Sequence, residues 1–261
     1  MTDLLVKNCL LLQKKTPQDI LIKGGVIKDI ASKITIDNIP SIDADFHFVT
    51  PPFVDSHFHM DATLSYGLPR VNKSGTLLEG IKLWGELKPN LTADAIKERA
   101  LKFCKWAIAR GTLAIRSHVD VSGQNLVGVE ALLDVREQMK DFIDIQLVAF
   151  PQDGLFRANC LDNLTAALDM GVDVVGGIPH FERTMEEGHE SIRILCEIAE
   201  KRGLLTDLHC DETDDPMSRH VEILALETTR LGLKGRVAGS HLTSMHSLDN
   251  YYFTKLISLL V

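Results

Sequence analysis

The feature that most constrains the fold is a set of short apolar runs that recur at intervals of about 30 residues. The runs cover residues 53–56, 112–119, 145–150, 172–178, 204–208 and 236–239. They lack the polar alternation of a strand with one face in water, so they predict strands buried on both faces, as in a parallel sheet. Segments with helical periodicity lie between them. The chain is therefore predicted to be a series of strand–helix units.

Capping residues give boundaries for three of the intervening helices. Thr92 is a suitable N-cap for a helix that ends at Gly111. A second helix ends at Gly203, where a glycine can adopt the left-handed conformation that terminates helices. Asp215 and Pro216 are typical first residues of a helix, and they predict the start of a third.

The strand–helix units predict an α/β fold of the TIM-type (β/α) barrel class, in which functional side chains lie at the carboxyl ends of the strands. An extra helical segment at residues 75–87 explains the long interval after the first strand. An open, doubly wound sheet is the alternative. It would usually have a glycine-rich turn after the first strand, where this chain has His57-Phe58-His59.

The length of the repeating part limits the size of the barrel. Residues 51–261 accommodate about six units, whereas an eight-unit barrel typically needs about 250 residues. We therefore expect a barrel without strands seven and eight. Its first and sixth strands would then have unpaired edges, which association into a homo-oligomer would cover. Residues 1–50 predict a separate small β-sheet domain, with strands at 4–12, 19–23, 26–30 and 43–49 and a hairpin turn at Gly24-Gly25.

The composition favours a small-molecule ligand. The 261 residues carry a formal net charge of −8 without a basic cluster, which argues against nucleic acid and anionic membranes as partners. No apolar stretch reaches the ~20 residues of a membrane span, and the amino terminus lacks the pattern of a secretory signal. Five cysteines without a C-x-x-C pair favour reduced thiols, so we expect a cytoplasmic protein.

Polar residues of catalytic type follow the predicted strands. They are His57 and His59, His118 and Asp120, Gln152, the run from His209 to Glu212, and Ser240 with His241. Side chains two apart on a strand share one face, so His57 and His59 can converge on one ion. Neutral imidazoles suit Zn or Fe, and three histidines leave a position open for water. A carboxylate three residues beyond His209 could transfer protons.

Each of these residues also has a purely structural interpretation. His209 could be a buried histidine that bonds to a backbone carbonyl, and Glu212 could simply lie near the amino terminus of the next helix, where the dipole favours it. His118 is expected to be a supporting or packing group and not a ligand. The remaining histidines of the barrel are expected to be structural or solvated: His180, His189, His220 and His246. A functional site is favoured because all of the polar residues of catalytic type occur together, each at the end of a predicted strand.

Seven segments carry a resemblance to a known family. In chain order they are HFHMD at 57–61, SGTL at 74–77, SHVDV at 117–121, VAFPQ at 148–152, DVVGGIPHFE at 173–182, HCDE at 209–212, and SH with MHS at 240–247. Together they resemble the bacterial cytosine deaminases of the amidohydrolase superfamily, over essentially the whole chain. The other deaminase class, with its H-x-E and P-C-x-x-C signature, is absent from this sequence.

The resemblance implies a metal-dependent hydrolytic deaminase of cytosine or a related amino-pyrimidine. It implies that one Fe or Zn ion is bound by His57, His59 and His209. Glu212 would protonate the ring nitrogen and pass protons to the departing ammonia. His241 would position the hydrolytic water, and the Gln152 amide would hold the pyrimidine's carbonyl and ring N–H edge.

The sequence also departs from the family pattern. The family has a metal-binding aspartate at the end of strand eight, which this sequence does not reach, and Asp211 or a residue from a partner chain could replace it. Two alternatives to the deaminase therefore stay open. One is a hydrolase of N-alkyl ammelides, a neighbouring branch with a similar pattern. The other is a truncated, inactive remnant that binds a ligand without turnover.

Overall fold

The computed structural model of the protein describes residues 3–261, which form two compact units divided between Pro52 and Phe53. Each unit contains one β-sheet, of four strands in the first and six in the second. Over the described part of the chain, no helix combines the length and the apolar character that a bilayer crossing requires.

The sheet of the first unit has the strand order β3-β2-β1-β4. Its strands are β1 (Leu4–Cys9), β2 (Gln18–Lys23), β3 (Val26–Ala31) and β4 (Ser41–Asp43). The first three are antiparallel neighbours, whereas β4 runs parallel to β1. Gly24 and Gly25 have positive φ angles of 58° and 77°, as a two-residue hairpin turn requires, so the predicted hairpin is confirmed.

The predicted strand at residues 43–49 is wrong. The strand β4 ends at Asp43, and beyond it only an isolated bridge joins Leu10 to Phe48. Asp45 and Phe46 adopt the left-handed conformation, with φ angles of 47° and 57°, which is incompatible with an extended strand. The apolar residues of this segment suggested a strand, but local turn geometry decided its conformation.

The sheet of the second unit is entirely parallel. Its strands are β5 (Phe53–Phe58), β6 (Thr112–Asp120), β7 (Asp144–Phe150), β8 (Val174–Gly177), β9 (Leu205–Cys210) and β10 (Val237–His241). They lie side by side in chain order. A doubly wound sheet would reverse its order at a switch point, so this continuous order is that of a β/α barrel, and the predicted fold class is confirmed.

The helices of the second unit follow the strands as predicted, with one extra helix after β5. They are α1 (Leu77–Leu87), α2 (Ala93–Ala109), α3 (Val127–Met139), α4 (Cys160–Asp169), α5 (Met185–Arg202), α6 (His220–Arg230) and α7 (Asn250–Leu260). Thr92 caps α2 by accepting a hydrogen bond from the backbone N–H of Ala95. Gly203 ends α5 in the left-handed conformation, with a φ of 67°.

The start of α6 differs from the prediction. Asp215 and Pro216 precede the helix, because the Asp215 carboxylate accepts a hydrogen bond from the N–H of Met217 (2.8 Å) and stabilises a local turn. The helix begins at His220, and the carboxylate of Asp211 accepts the N–H groups of its first turn. A cap from outside the local sequence therefore sets this boundary.

The two edge strands of the barrel sheet, β5 and β10, are brought towards each other by its curvature. Among the described residues they form no ladder with one another, yet Nδ1 of His57 on β5 lies 3.2 Å from Oγ of Ser240 on β10. The prediction that run 53–56 is buried on both faces is wrong. Phe53 and Val54 are 63% and 68% exposed, because an edge strand has a neighbour on one side only.

The apolar core lies between the helices and the outward-facing strand residues. Ile115, Leu147 and Leu208 from the strands join helix residues such as Ile96 and Leu195 in one buried cluster. Each such side chain contributes about 1.5–3 kcal/mol of stability through its burial. Because strand residues alternate between faces, the positions next to these point into the barrel, and many of those are polar.

Candidate metal centre and its cavity

Four histidines meet at the carboxyl ends of three barrel strands. His57 lies on β5 and His59 just after it, while His118 lies on β6 and His209 on β9. Each offers one ring nitrogen, and these four atoms all lie within 4.8 Å of one another. The Nε2 atoms of His59 and His209 are 3.1 Å apart. The structure thus brings together the three histidines predicted to bind a metal and adds His118 to them.

The surroundings of the cluster keep its imidazoles neutral. Burial, together with the neighbouring histidines, lowers the pKa of His59 to about 4. Burial also lowers the pKa of His57, His118 and His209, with the neighbouring rings as the second cause. A neutral imidazole has a lone pair on one nitrogen, and this is the form that binds metal ions.

The residues present fit a divalent metal ion. Within the described part of the chain, both ring nitrogens of His118 are buried without a hydrogen-bond partner. Buried polar atoms are normally paired, so unpaired ring nitrogens in a converging group need another partner. Several neutral imidazoles in one protected place are typical ligands of Zn or Fe.

His118 is more central than the sequence indicated. We expected a supporting or packing group, but its ring centroid lies 4.5 Å from those of both His57 and His209, and the side chain is fully buried. The sequence carried one usable signal for this position: His118 lies near the carboxyl end of the second predicted strand, where the functional side chains of a barrel are found.

Glu212, His241 and Gln152 lie around the same space as the histidine cluster. Together they line a cavity of about 620 Å³, with His57, His59 and His209 at its floor. Nδ1 of His241 is 3.7 Å from Oε1 of Glu212, and the His241 ring centroid lies 4.7 Å from that of His57. The six residues to which the resemblance assigned a role therefore all border one cavity: His57, His59, Gln152, His209, Glu212 and His241.

One wall of the cavity comes from the inserted helix α1 and was not anticipated. It consists of the apolar side chains of Leu77, Leu78, Ile81 and Trp84. Trp84 is anchored because its indole N–H donates to Oδ2 of Asp120 at 2.7 Å. Leu77 and Leu78 are 55% and 73% exposed, so the helix presents apolar surface to the open space above the histidines.

His180 also borders the cavity, although the sequence suggested a structural or solvated residue. It lies on the short 3-10 turn that follows β8. Burial is the main cause that lowers the pKa of His180 to about 4. A neutral imidazole at this position can donate one hydrogen bond and accept another.

Asp211 is directed away from the histidine cluster. Its Oδ1 accepts hydrogen bonds from Oγ of Ser218 and Nδ1 of His220, both at 2.7 Å, and its Oδ2 accepts the N–H of Val221 at 2.9 Å. Burial alone would raise its pKa, but these hydrogen bonds lower the pKa of Asp211 to about 2. The carboxylate is already fully engaged, so the idea that it replaces the strand-eight ligand is wrong.

Comparison with known proteins is consistent with this site. The chain is 34% identical over 250 residues to the N-isopropylammelide isopropyl amidohydrolase of Pseudomonas sp. (strain ADP), a match that covers 92% of this chain and 60% of that protein. It is 28% identical over 235 residues to the pterin deaminase of Rhizobium rhizogenes, covering 88% of this chain and 53% of that protein. The chain therefore spans little more than half the length of these curated relatives.

A solved structure provides the structural comparison. The 5-methylcytosine deaminase from Klebsiella pneumoniae, crystallised with phosphonocytosine, superimposes with a TM-score of 0.94 and 40% sequence identity. The match covers 98% of this chain and 63% of that one. The sequence model of the amidohydrolase family matches residues 41–261. The fold, the histidine cluster and these matches lead to one conclusion: the chain belongs to the amidohydrolase family.

Proposed function

We propose that the protein is a metal-dependent hydrolytic deaminase of an amino-substituted nitrogen heterocycle, with cytosine or a related amino-pyrimidine as the substrate. The observation that carries the proposal is the single cavity bordered by the histidine cluster, Glu212, His241 and Gln152. It combines candidate metal ligands, a proton-transfer pair and a group that recognises a ring edge. The cavity volume of about 620 Å³ suits a single small heterocycle and its water.

The candidate ligands of one Fe or Zn ion are His57, His59 and His209, with His118 beside them. Such an ion would supply a Lewis acid that polarises the reacting centre and activates water. The protein's own contribution is to hold the imidazoles neutral and converging.

The proton transfers are assigned to Glu212 and His241. In the net reaction, water adds its oxygen to the amino-bearing ring carbon, the ring nitrogen gains a proton, and the amino group leaves as ammonia. Glu212 borders the cavity, which supports its proposed role of giving a proton to the ring nitrogen and later to the leaving group. His241 lies 3.7 Å from the Glu212 carboxylate, which supports its proposed role of orienting the water and assisting these transfers.

Gln152 is assigned to substrate recognition. Its side-chain amide offers a hydrogen-bond donor and an acceptor, which together match the adjacent carbonyl and N–H of a pyrimidinone edge. Phe150, two residues earlier, stacks on the His209 ring at 4.2 Å between centroids, and this contact helps to fix the start of the loop. We propose that the ligand is a small heterocycle and neither nucleic acid nor a membrane.

A second candidate is a hydrolase of N-alkyl ammelides. The apolar wall of Leu77, Leu78, Ile81 and Trp84 favours it, because an alkyl substituent could be buried there. The 34% identity to an N-isopropylammelide amidohydrolase also favours it. The 40% identity and the TM-score of 0.94 with a 5-methylcytosine deaminase support the pyrimidine alternative.

The experiment is a side-by-side assay of the zinc- or iron-loaded protein on cytosine, 5-methylcytosine and N-isopropylammelide, with release of ammonia or isopropylamine as the readout. The expected result is ammonia release from a pyrimidine that Glu212→Gln abolishes. The control is Asp214→Asn, which removes an exposed acid two residues away. Amine release from the ammelide alone would establish the second candidate. Binding of a ring without any turnover would establish an inactive remnant.

A further inference from the structure

A second polar group lies inside the barrel, one layer of side chains nearer the amino ends of the strands than the histidine cluster. Arg116 and Asp207 precede His118 and His209 by two residues, so they share the inward face of β6 and β9. The Asp207 side chain is only 2% exposed. Neither Arg116 nor Asp207 was singled out from the sequence.

The layer is connected by hydrogen bonds from one strand to the next. Nη1 of Arg116 donates to Oδ2 of Asp207 at 2.8 Å, and Nε of Arg116 donates to Oε1 of Gln146 at 2.7 Å. Oγ of Ser240 lies 2.8 Å from Oδ1 of Asp207. Nδ1 of His57 lies 3.2 Å from the same Ser240 hydroxyl. The connection therefore runs from Arg116 to the first histidine of the cluster.

The direction of these hydrogen bonds follows from the groups involved. A carboxylate only accepts, so the Ser240 hydroxyl donates its proton to Asp207. The hydroxyl oxygen is then left as an acceptor for His57, whose Nδ1 must carry the proton. The lone pair of a neutral His57 is consequently on Nε2, the other ring nitrogen.

We propose that Asp207 is a positioning residue that acts through Ser240 to hold His57 as the Nδ1–H tautomer, with its Nε2 lone pair available to a metal ion. Arg116 takes part by holding the second oxygen of the carboxylate, so that Oδ1 keeps its orientation towards Ser240. The metal-binding half of this inference rests on the proposed function. The tautomer of His57 does not, because it is defined in the metal-free protein.

A purely structural role is the competing explanation, since an ion pair between β6 and β9 could simply support the barrel. The two roles differ in what the Ser240 hydroxyl does. If the layer only supports the barrel, removing that hydroxyl leaves the Arg116–Asp207 pair intact and His57 unaffected. If it positions His57, the same change releases the ring from its fixed tautomer.

The test uses the metal-free protein with ¹⁵N-labelled histidine, at a pH where His57 is neutral. Long-range ¹H–¹⁵N spectra report which ring nitrogen carries the proton. We expect the Nδ1–H form in the wild type and in Ser240→Thr, which keeps a hydroxyl, but a mixture of tautomers in Ser240→Ala and Asp207→Asn. The matched control is Asp173→Asn, because Asp173 is also held by an arginine, Arg136, at 2.7 Å, but away from the cluster.

The second readout is zinc affinity, measured by competition with a chromophoric chelator. Loss of a hydrogen-bond partner behind a histidine ligand costs about 10–100-fold in metal affinity, so we expect at least about 10-fold for Ser240→Ala and little change for Ser240→Thr. An unchanged His57 tautomer in folded Ser240→Ala would overturn the inference. If the tautomer shifts but the wild type binds no zinc, the positioning role stands and the metal-dependent function fails.

Discussion

Nδ1 of His220 lies 2.7 Å from Oδ1 of Asp211, and both side chains are buried. The same carboxylate accepts the backbone N–H groups that open α6, so the pair joins the end of β9 to the start of the next helix. Asp211 has a positive φ of 52°, a conformation that aspartate adopts when its surroundings favour it. The backbone therefore turns sharply between His209 and Glu212, and the Asp211–His220 pair holds this turn.

Replacing Asp211 with alanine is expected to destabilise the fold. Several hydrogen bonds to a buried charged group are lost and their donors are left unpaired, so we expect a loss on the order of 3 kcal/mol or more. Urea denaturation would measure this change. The control is Asp214→Ala, at an exposed position of the same loop, which we expect to stay within about 0.5 kcal/mol of the wild type. Equal stability of the two variants would contradict the anchoring role.

A glycine of α5 is required by the same buried histidine. A Cβ atom at Gly188 would collide with Nε2 of His220 and would lie 2.6 Å from the carbonyl oxygen of Pro179. Because a backbone atom is involved, Gly188→Ala should destabilise the protein by about 1–3 kcal/mol. Gly85 in α1 is the matched control, since nothing lies within 4 Å of its Cβ position. Gly85→Ala should stabilise the protein by about 0.5–1 kcal/mol, because alanine favours the helix more than glycine does.

The stability of the metal-free protein should fall as the pH falls from 6.5 towards 4. Burial lowers the pKa of His180 from 6.5 to about 4. A histidine whose pKa is lower in the folded state contributes stability that is complete above pH 6.5 and is lost as the pH approaches 4. Chemical denaturation at a series of pH values, with a chelator present, would measure the slope.

The variant His180→Gln should reduce this slope by up to about 1.4 kcal/mol per pH unit, the contribution of one proton. His246→Gln is the control, because His246 is exposed. A slope that His180→Gln leaves unchanged would show that His180 is not held neutral by its burial.

Metal binding should depend on the histidine cluster. We expect about one Zn or Fe ion per chain after purification from supplemented medium, as in other single-metal histidine sites. Elemental mass spectrometry should show this ion lost in His209→Asn and retained in His246→Gln. Removing the metal should also lower the melting temperature, since a ligand present at 100 times its Kd stabilises by about 2.7 kcal/mol. If His209→Asn and His246→Gln retain the same metal content, the ion is bound at another site.

The apolar wall of α1 should influence which ring is accepted. Ile81→Ser places a polar group in that wall. Turnover of an alkyl-substituted ring should therefore fall by about 10-fold relative to turnover of the unsubstituted ring, because one or two buried methylene contacts are lost. The ratio of kcat/KM values for 5-methylcytosine and cytosine measures this effect. Leu101→Ser in α2, which does not border the cavity, controls for a general loss of stability. A ratio that does not change would remove α1 from substrate selection.

Much of the fold was predictable from local patterns. The strand–helix repeat, the N-cap at Thr92 and the glycine that ends α5 are local features, because they depend on side-chain periodicity and on the backbone preferences of single residues. The convergence of His57 and His59 is local as well, since residues two apart on an extended strand point to the same side. These features predicted the barrel and the convergence of His57 and His59, whereas His209 was added as a third ligand by the resemblance to the amidohydrolases.

Only the tertiary structure decided which distant groups meet. His118 joins the cluster, Asp211 turns away from it to cap α6, and α1 forms a wall of the cavity, although nothing in the sequence near these residues specifies their partners. The contact between His57 and Ser240 joins the first and last strands of the sheet. It exists because the accumulated twist and curvature of six strands bring the edges together, and that geometry belongs to the whole sheet and not to any segment of it.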